Sequence, residues 1–288
     1  MGIIYRKRIS IKLTVVLFFG ALAIAVLFLN DRQKAIASAS GPSPSYTNAP
    51  EEDNCTACHN SFPVNSGSGN VQIAGVPQTY VPDQQVAITV TTSQSDAVIY
   101  GFQLTAINQE GKAVGTFTLP TQTPRQTQLV NGFVNSQNRR YVEHTLAGTA
   151  PIQFGSKSWT FTWTAPNPVD GRIDFYAAGN SANSDAATSG DYIYTTSASS
   201  LPAAAFSVSG RVFLSDGSHG LRNAAVVLTD QNGGTQSATT STFGFYSFSN
   251  VFVGQTYTLV VKSKLFRYAP MTLTVTDDLT NVDFIGLE

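Results

Sequence analysis

The sequence predicts an all-β fold: two β-sandwich domains after an N-terminal hydrophobic helix. Three observations carry that prediction. Beyond residue 40 no helical period is sustained, whereas apolar and polar residues alternate with period two from about Val71 onward. The alternating runs are short, rich in β-branched and aromatic residues, and separated by Gly, Pro, Asn and Asp clusters. At 288 residues the chain has room for two cores, and a stretch of small residues, 199–205, divides it. The chain therefore reads as a leader or anchor over 1–40, a first sandwich over 41–198, the linker 199–205, and a second sandwich over 206–288.

The N-terminal element comes first. Arg6, Lys7, Arg8 and Lys12 precede Leu13–Leu29, a run whose one polar member is Thr14. That is the charged region and apolar region of an export signal. Ala37-Ser38-Ala39 offers a cleavage site, while the run is barely long enough to span a bilayer, so signal peptide and retained inner-membrane anchor both stand. Either way the basic flank places the remainder outside the cytoplasm, in the periplasm or at the cell surface. Six of the chain's 17 basic residues and one of its 18 acidic residues lie in residues 1–40, so the exported body is acidic. It has no basic patch with interleaved aromatics, which excludes nucleic acid as a partner.

Residues 41–54, rich in Pro, Ser and acid, read as an exposed tether. They lead into Cys55-Thr56-Ala57-Cys58-His59, which holds both cysteines of the chain and one of its three histidines. Cys-x-x-Cys-His is the pattern of covalent c-type haem attachment. Cys55 and Cys58 would add to the two vinyl groups, and His59 would supply the proximal axial nitrogen to the iron of a single haem c. Three other readings compete. A dithiol redox pair wants a βαβ context, zinc wants a second ligand pair, and a structural disulfide needs only export.

In the first sandwich, Val86, Ile88 and Val90 share one face of a strand. Tyr100–Ile107 and Gly115–Leu119 follow as strands, then Trp159, Phe161 and Trp163 on one face of another, then Ile173–Ala178 and Tyr192–Thr195. The Trp/Phe face reads as core, with the haem edge as its secondary role. Tyr141–Thr145 is strand-like and contains His144, the candidate distal ligand; His219 and Met271 lie in the other domain. Arg140, four residues before His144, raises a peroxidase-like reading in which both act on bound peroxide. The loop 179–191, with Asn180, Asn183, Asp185 and Asp191, raises calcium, against the simpler reading as Asx turns.

The segments Tyr100-Gly101-Phe102-Gln103-Leu104, Trp159–Pro166, Phe175–Asn180 and Gly190–Tyr194, behind a haem-type motif, resemble the reelin-like "choice-of-anchor V" domains of exported bacterial proteins. The resemblance covers about residues 41–198. It implies a reelin-like sandwich with a haem-binding N-terminal segment, and places a histidine where His144 stands. It implies no defined reaction.

The second sandwich reads as strands over 206–214, 224–229, 235–240, 244–248, 256–262, 271–275 and 281–285, with glycines in the intervening turns. Ser209–Val212, Leu221–Leu228, Thr242–Phe248 and Val251–Tyr257 resemble the carboxypeptidase-regulatory-like module. That resemblance implies a transthyretin-like sandwich, a spacer or glycan-contact role, and no catalytic residues.

The reading that follows is an exported monohaem c-type cytochrome-like protein, passing single electrons from a quinone-linked or protein redox partner. The alternative is a non-redox adhesion or carbohydrate-contact surface protein in which haem is structural. A haem peroxidase is a third. No catalytic residue is assigned.

Overall fold

The computed structural model describes residues 38–287. The hydrophobic run 13–29, and with it the signal or anchor reading, lies outside the described residues. Among those that are described, no helix is long and apolar enough to cross a membrane.

The described chain is nearly all strand. In the first sandwich β1 is Asn70–Ala74, β2 Thr79–Tyr80, β3 Gln85–Ser93, β4 Ile99–Ile107 and β5 Thr116–Thr118. Then come β6 Thr127–Val134, β7 Gln137–His144, β8 Ser156–Thr164, β9 Ile173–Ala182 and β10 Tyr192–Pro202. One sheet runs β1-β3-β8-β5 and the other β2-β10-β9-β4-β7-β6. Period-two patterning decides what lies between them. Ile88, Val90, Trp159, Phe161 and Trp163 of the first sheet meet Phe102, Leu104, Phe175 and Ala177 of the second. Phe102 stacks on Trp159 at 4.5 Å and Trp163 meets Phe175 edge-on at 5.0 Å. The aromatic face is thus core, and the indole N–H groups of Trp159 and Trp163 are satisfied by the carbonyls of Gly148 and Val114.

The hairpin of β6 and β7 turns at Asn135 and Ser136, both at positive φ (46° and 67°). Two such residues match the twist of the flanking strands, so the register locks at Val134↔Gln137. That register puts Arg139, Tyr141 and Glu143 on the outer face of the sheet, where water would be expected. Instead they are buried, as are Gln103 and Thr105 of β4. Residues 41–54 cover them. The supposed tether is a strap, because its backbone finds partners on that face: Tyr46 N–H donates to Gln103 Oε1 (2.8 Å), and Gln103 Nε2 donates to the Ser43 carbonyl (3.0 Å). At its far end Glu52 meets Arg139 at 2.7 Å, with both side chains out of solvent. Glu52 also accepts from Tyr141 Oη (2.6 Å) and Thr47 Oγ1 (2.6 Å).

In the second sandwich β11 is Ala205–Phe213, β12 Ala225–Thr229, β13 Thr235–Thr239, β14 Phe245–Phe252, β15 Thr256–Lys262, β16 Met271–Thr274 and β17 Phe284–Ile285. Its sheets run β14-β11-β17 and β13-β12-β15-β16, around a separate core of Val208, Val212, Val226, Leu228, Phe248 and Leu259. The linker expected over 199–205 is shorter than that. Ser199 and Ser200 pair with Asp174 and Ile173 of β9, and Leu201 pairs with Thr79 of β2, so β10 continues to Pro202. Only Ala203 and Ala204 separate it from β11. Small side chains marked the stretch as loose, but they fit an extended ladder equally well, and backbone pairing decided the matter.

Candidate functional site

A cavity of about 300 Å³ opens at one end of the six-stranded sheet, at the lower limit of small-molecule pockets, ~300–1,000 Å³. Its mainly apolar wall is built from the strap, the Cys-x-x-Cys-His turn, the start of β4, and the ends of β7 and β9. Cys55, Cys58, His59 and His144 all line it. These four residues, separated by up to 89 positions in sequence, come together because the turn is carried to the end of β4 that His144 also reaches.

Cys55 opens and Cys58 caps a single 3₁₀ turn, Cys55–Ala57. Asn54 caps it, its Oδ1 accepting from Thr56 N–H at 2.9 Å and Thr56 Oγ1 at 2.7 Å. The His59 N–H then donates to the Cys55 carbonyl (2.9 Å), which closes the motif on itself. The two cysteines are not joined in a disulfide. Burial pushes the Cys55 thiol up to about 12.

His59 is largely buried, at 15% side-chain exposure, and its Nδ1 lies 2.6 Å from Oδ2 of Asp191, which is 1% exposed. Asn180 of β9 approaches both ring nitrogens, with Nδ2 at 3.3 and 3.4 Å, and its Oδ1 is buried without a hydrogen-bond partner.

His144 ends the β4–β7 ladder. The last backbone pair is Gln103↔Glu143, and beyond it the imidazole takes the place of a peptide. Its Nδ1 is 3.0 Å from the Phe102 N–H and 3.2 Å from the Phe102 carbonyl. Desolvation lowers its pKa, the backbone bonds at Phe102 and Ser38 opposing this, so the ring is held neutral, the form that ligates metal. Gly101 makes the space. A Cβ there would lie 2.6 Å from His144 Cε1, with both ring nitrogens at 3.1 Å. Gly101→Ala is expected to displace the imidazole and cost about 1–3 kcal/mol of stability, read as a lower urea midpoint. An unchanged midpoint would mean the ring moves freely.

The neighbouring expectations fare differently. Arg140 is exposed, bonds Asn131 of β6 at 3.2 Å and does not line the cavity, so the peroxidase-like pairing with His144 is not formed. Its neighbour Arg139 faces the strap instead. The loop before β10 makes Asx turns: Asn183 Oδ1 accepts from Asp185 N–H (3.0 Å) and Asp185 Oδ1 from Ala187 N–H (2.8 Å). Asp191 is committed to His59. Among the described residues no group of three or more His, Cys, Asp or Glu side chains is placed to hold a metal ion. Asp191, Asn180 and Gly101 were not assigned to the site from sequence. All three stood within motifs singled out there, but the register that aims them at the cavity is not encoded locally.

The donor set fits a c-type haem. It has two thiols at the right spacing beside a histidine held by a buried carboxylate, a second neutral histidine on the same cavity, a mainly apolar wall, and an unsatisfied amide oxygen.

Residues 53–181 match the family model of the Reeler domain. This bears out the reelin-like resemblance for that part of the chain. Among solved structures, BcpA, the major pilin subunit of Bacillus cereus, is 13% identical, covering 76% of this chain and 70% of that one with a TM-score of 0.40. The human F-spondin reeler domain (fragment 1) is 17% identical, covering 49% of this chain and 94% of that one, with a TM-score of 0.32. The Reelin-N domain of F-spondin is also 17% identical, covering 52% and 97%, with a TM-score of 0.34. Comparison with curated proteins returned no match.

Proposed function

We propose that the Reeler-type sandwich of this chain carries one haem c outside the cytoplasm, in the cavity lined by Cys55, Cys58, His59 and His144. The observation that supports this reading is the convergence of the Cys-x-x-Cys-His turn and His144 on one mainly apolar cavity. Cys55 and Cys58 would hold the macrocycle by thioether bonds, His59 would be the proximal ligand and His144 the distal one. When bound, the iron supplies a one-electron ferric/ferrous couple. The protein's own part is to exclude water with the cavity wall and to orient the two imidazoles, through Asp191 on one side and the Phe102 peptide on the other. Electron exchange with a redox partner protein or quinone-linked donor needs no substrate pocket beyond this.

The Reeler match favours a second reading of the same site. Reeler domains are extracellular or surface domains, and in an adhesion-type surface protein the haem would staple the strap and motif to the sandwich without carrying electrons. Expression with a periplasmic haem-maturation system tests both. A pyridine haemochrome spectrum of a c-type adduct, with a mass increase of one haem, is the expected result. Colourless protein with the polypeptide mass removes the haem reading and leaves the surface role. Covalent haem that no quinone-linked or protein donor reduces selects the structural haem.

A further inference from the structure

We infer that Asp191 is the positioning residue of His59: its buried carboxylate accepts the Nδ1 proton of the imidazole and so presents an electron-rich Nε2 to the cavity. The inference rests on the haem reading above and deepens it.

The structure builds Asp191 into place from both sides. Its Oδ2 lies 2.6 Å from His59 Nδ1, while its Oδ1 accepts the Asn183 N–H at 3.1 Å. The residues flanking it are pinned to the segment that follows the motif. Gly190 N–H donates to Ser61 Oγ at 2.9 Å, and the Tyr192 ring stacks on Phe62 with centroids 4.2 Å apart and planes 5° from parallel. Three consecutive residues, 190–192, therefore clasp residues 59–62, and the carboxylate is the member that reaches the imidazole. No Lys or Arg pairs with Asp191 among the described residues. A metal-ligating histidine that donates its second N–H to a carboxylate has a fixed tautomer and a more basic ligating nitrogen, which favours the more positively charged metal state. Asp191 should thus hold the couple towards ferric. Removing an outer-shell partner of this kind typically costs about 10–100-fold in metal affinity or activity.

The test compares mature holoprotein with Asp191→Asn, Asp191→Glu and Asp174→Asn. The last removes a carboxylate of an ion pair with Arg172 at the opposite end of β9 from Asn180. Spectroelectrochemical titration gives each midpoint. Asp191→Asn is expected to shift the one-electron equilibrium at least tenfold towards ferrous, which is about 59 mV upward. Asp191→Glu should return towards wild type, and Asp174→Asn should match it. A midpoint for Asp191→Asn within threefold of wild type, at full haem content, overturns the inference. So does Glu behaving like Asn. Should Asp191→Asn not be recovered folded, NMR of the reduced wild-type holoprotein labelled with ¹⁵N-histidine decides: the His59 Nδ1–H must show the downfield proton shift and slow solvent exchange of a hydrogen bond to a carboxylate, and an Nδ1–H without that downfield shift overturns the inference. Failure of the haem reading itself registers separately, as wild-type protein without a haemochrome spectrum.

Discussion

Glu52→Ala is expected to destabilise the first sandwich by about 3–5 kcal/mol, because it removes one partner of a buried ion pair and leaves the other without compensation. The Arg139 guanidinium is sealed by the strap, with Nη1 also donating to the Pro50 carbonyl at 3.0 Å and Nε to the Gly111 carbonyl at 2.8 Å. Tyr141, whose phenol burial already pushes towards the neutral form, loses the acceptor it donates to. Thr47 loses the same partner through its hydroxyl and its N–H. Urea unfolding followed by tryptophan fluorescence reads the loss directly, since both tryptophans, Trp159 and Trp163, are core residues of this domain. Limited proteolysis should place the first new cut within residues 41–54. A variant with an unchanged midpoint and no new cut would show that the strap is held by its backbone bonds alone.

His144→Ala in the mature protein is expected to abolish the six-coordinate low-spin bands while leaving the covalent adduct intact. On the proposed haem reading, attachment would depend on Cys55 and Cys58, in a turn whose hydrogen bonds do not involve His144. Distal ligation would depend on a ring that the fold supplies from 86 residues beyond Cys58. The spectroscopic change should be complete rather than graded. Among the described residues the remaining histidine, His219, bonds Asp216 in an exposed turn of the second sandwich, and Met271 lies on β16. Low-spin bands that survive the substitution would remove His144 from the iron.

How much of this was legible in the sequence depends on what carried the information. Most strands were visible because alternation is written residue by residue, while β1, β2 and β6 were not singled out. Val86–Val90, Trp159–Trp163 and the second sandwich fall where the pattern puts them, to within a residue or two at most ends. The Cys55–His59 motif was visible because it is contiguous, and the structure adds the cavity that it lines. What was not visible is what depends on one segment covering another. Residues 41–54 have the composition of a tether, and nothing local says that Gln103, Arg139, Tyr141 and Glu143 await them on a sheet face. The burial of every residue from Tyr100 to Ile107 is the trace of that cover, and alternation alone would have put half of them in water. Asp191 was read as a turn residue for the same reason. Its sequence neighbours describe a loop, while its partner lies 132 positions away. The boundary after residue 198 erred in the other direction, since Ser and Ala were read as slack where backbone pairing continues.

The two-residue junction at Ala203–Ala204 has a mechanical consequence. Two residues extend to only about 7 Å, so the second sandwich has almost no leash on which to wander. A pull on it is delivered directly to β10, which shares nine register pairs with β9, from Tyr192↔Ser181 to Ser200↔Ile173. The load falls on a hydrogen-bonded ladder, and the upstream end of that ladder begins one residue after Asp191.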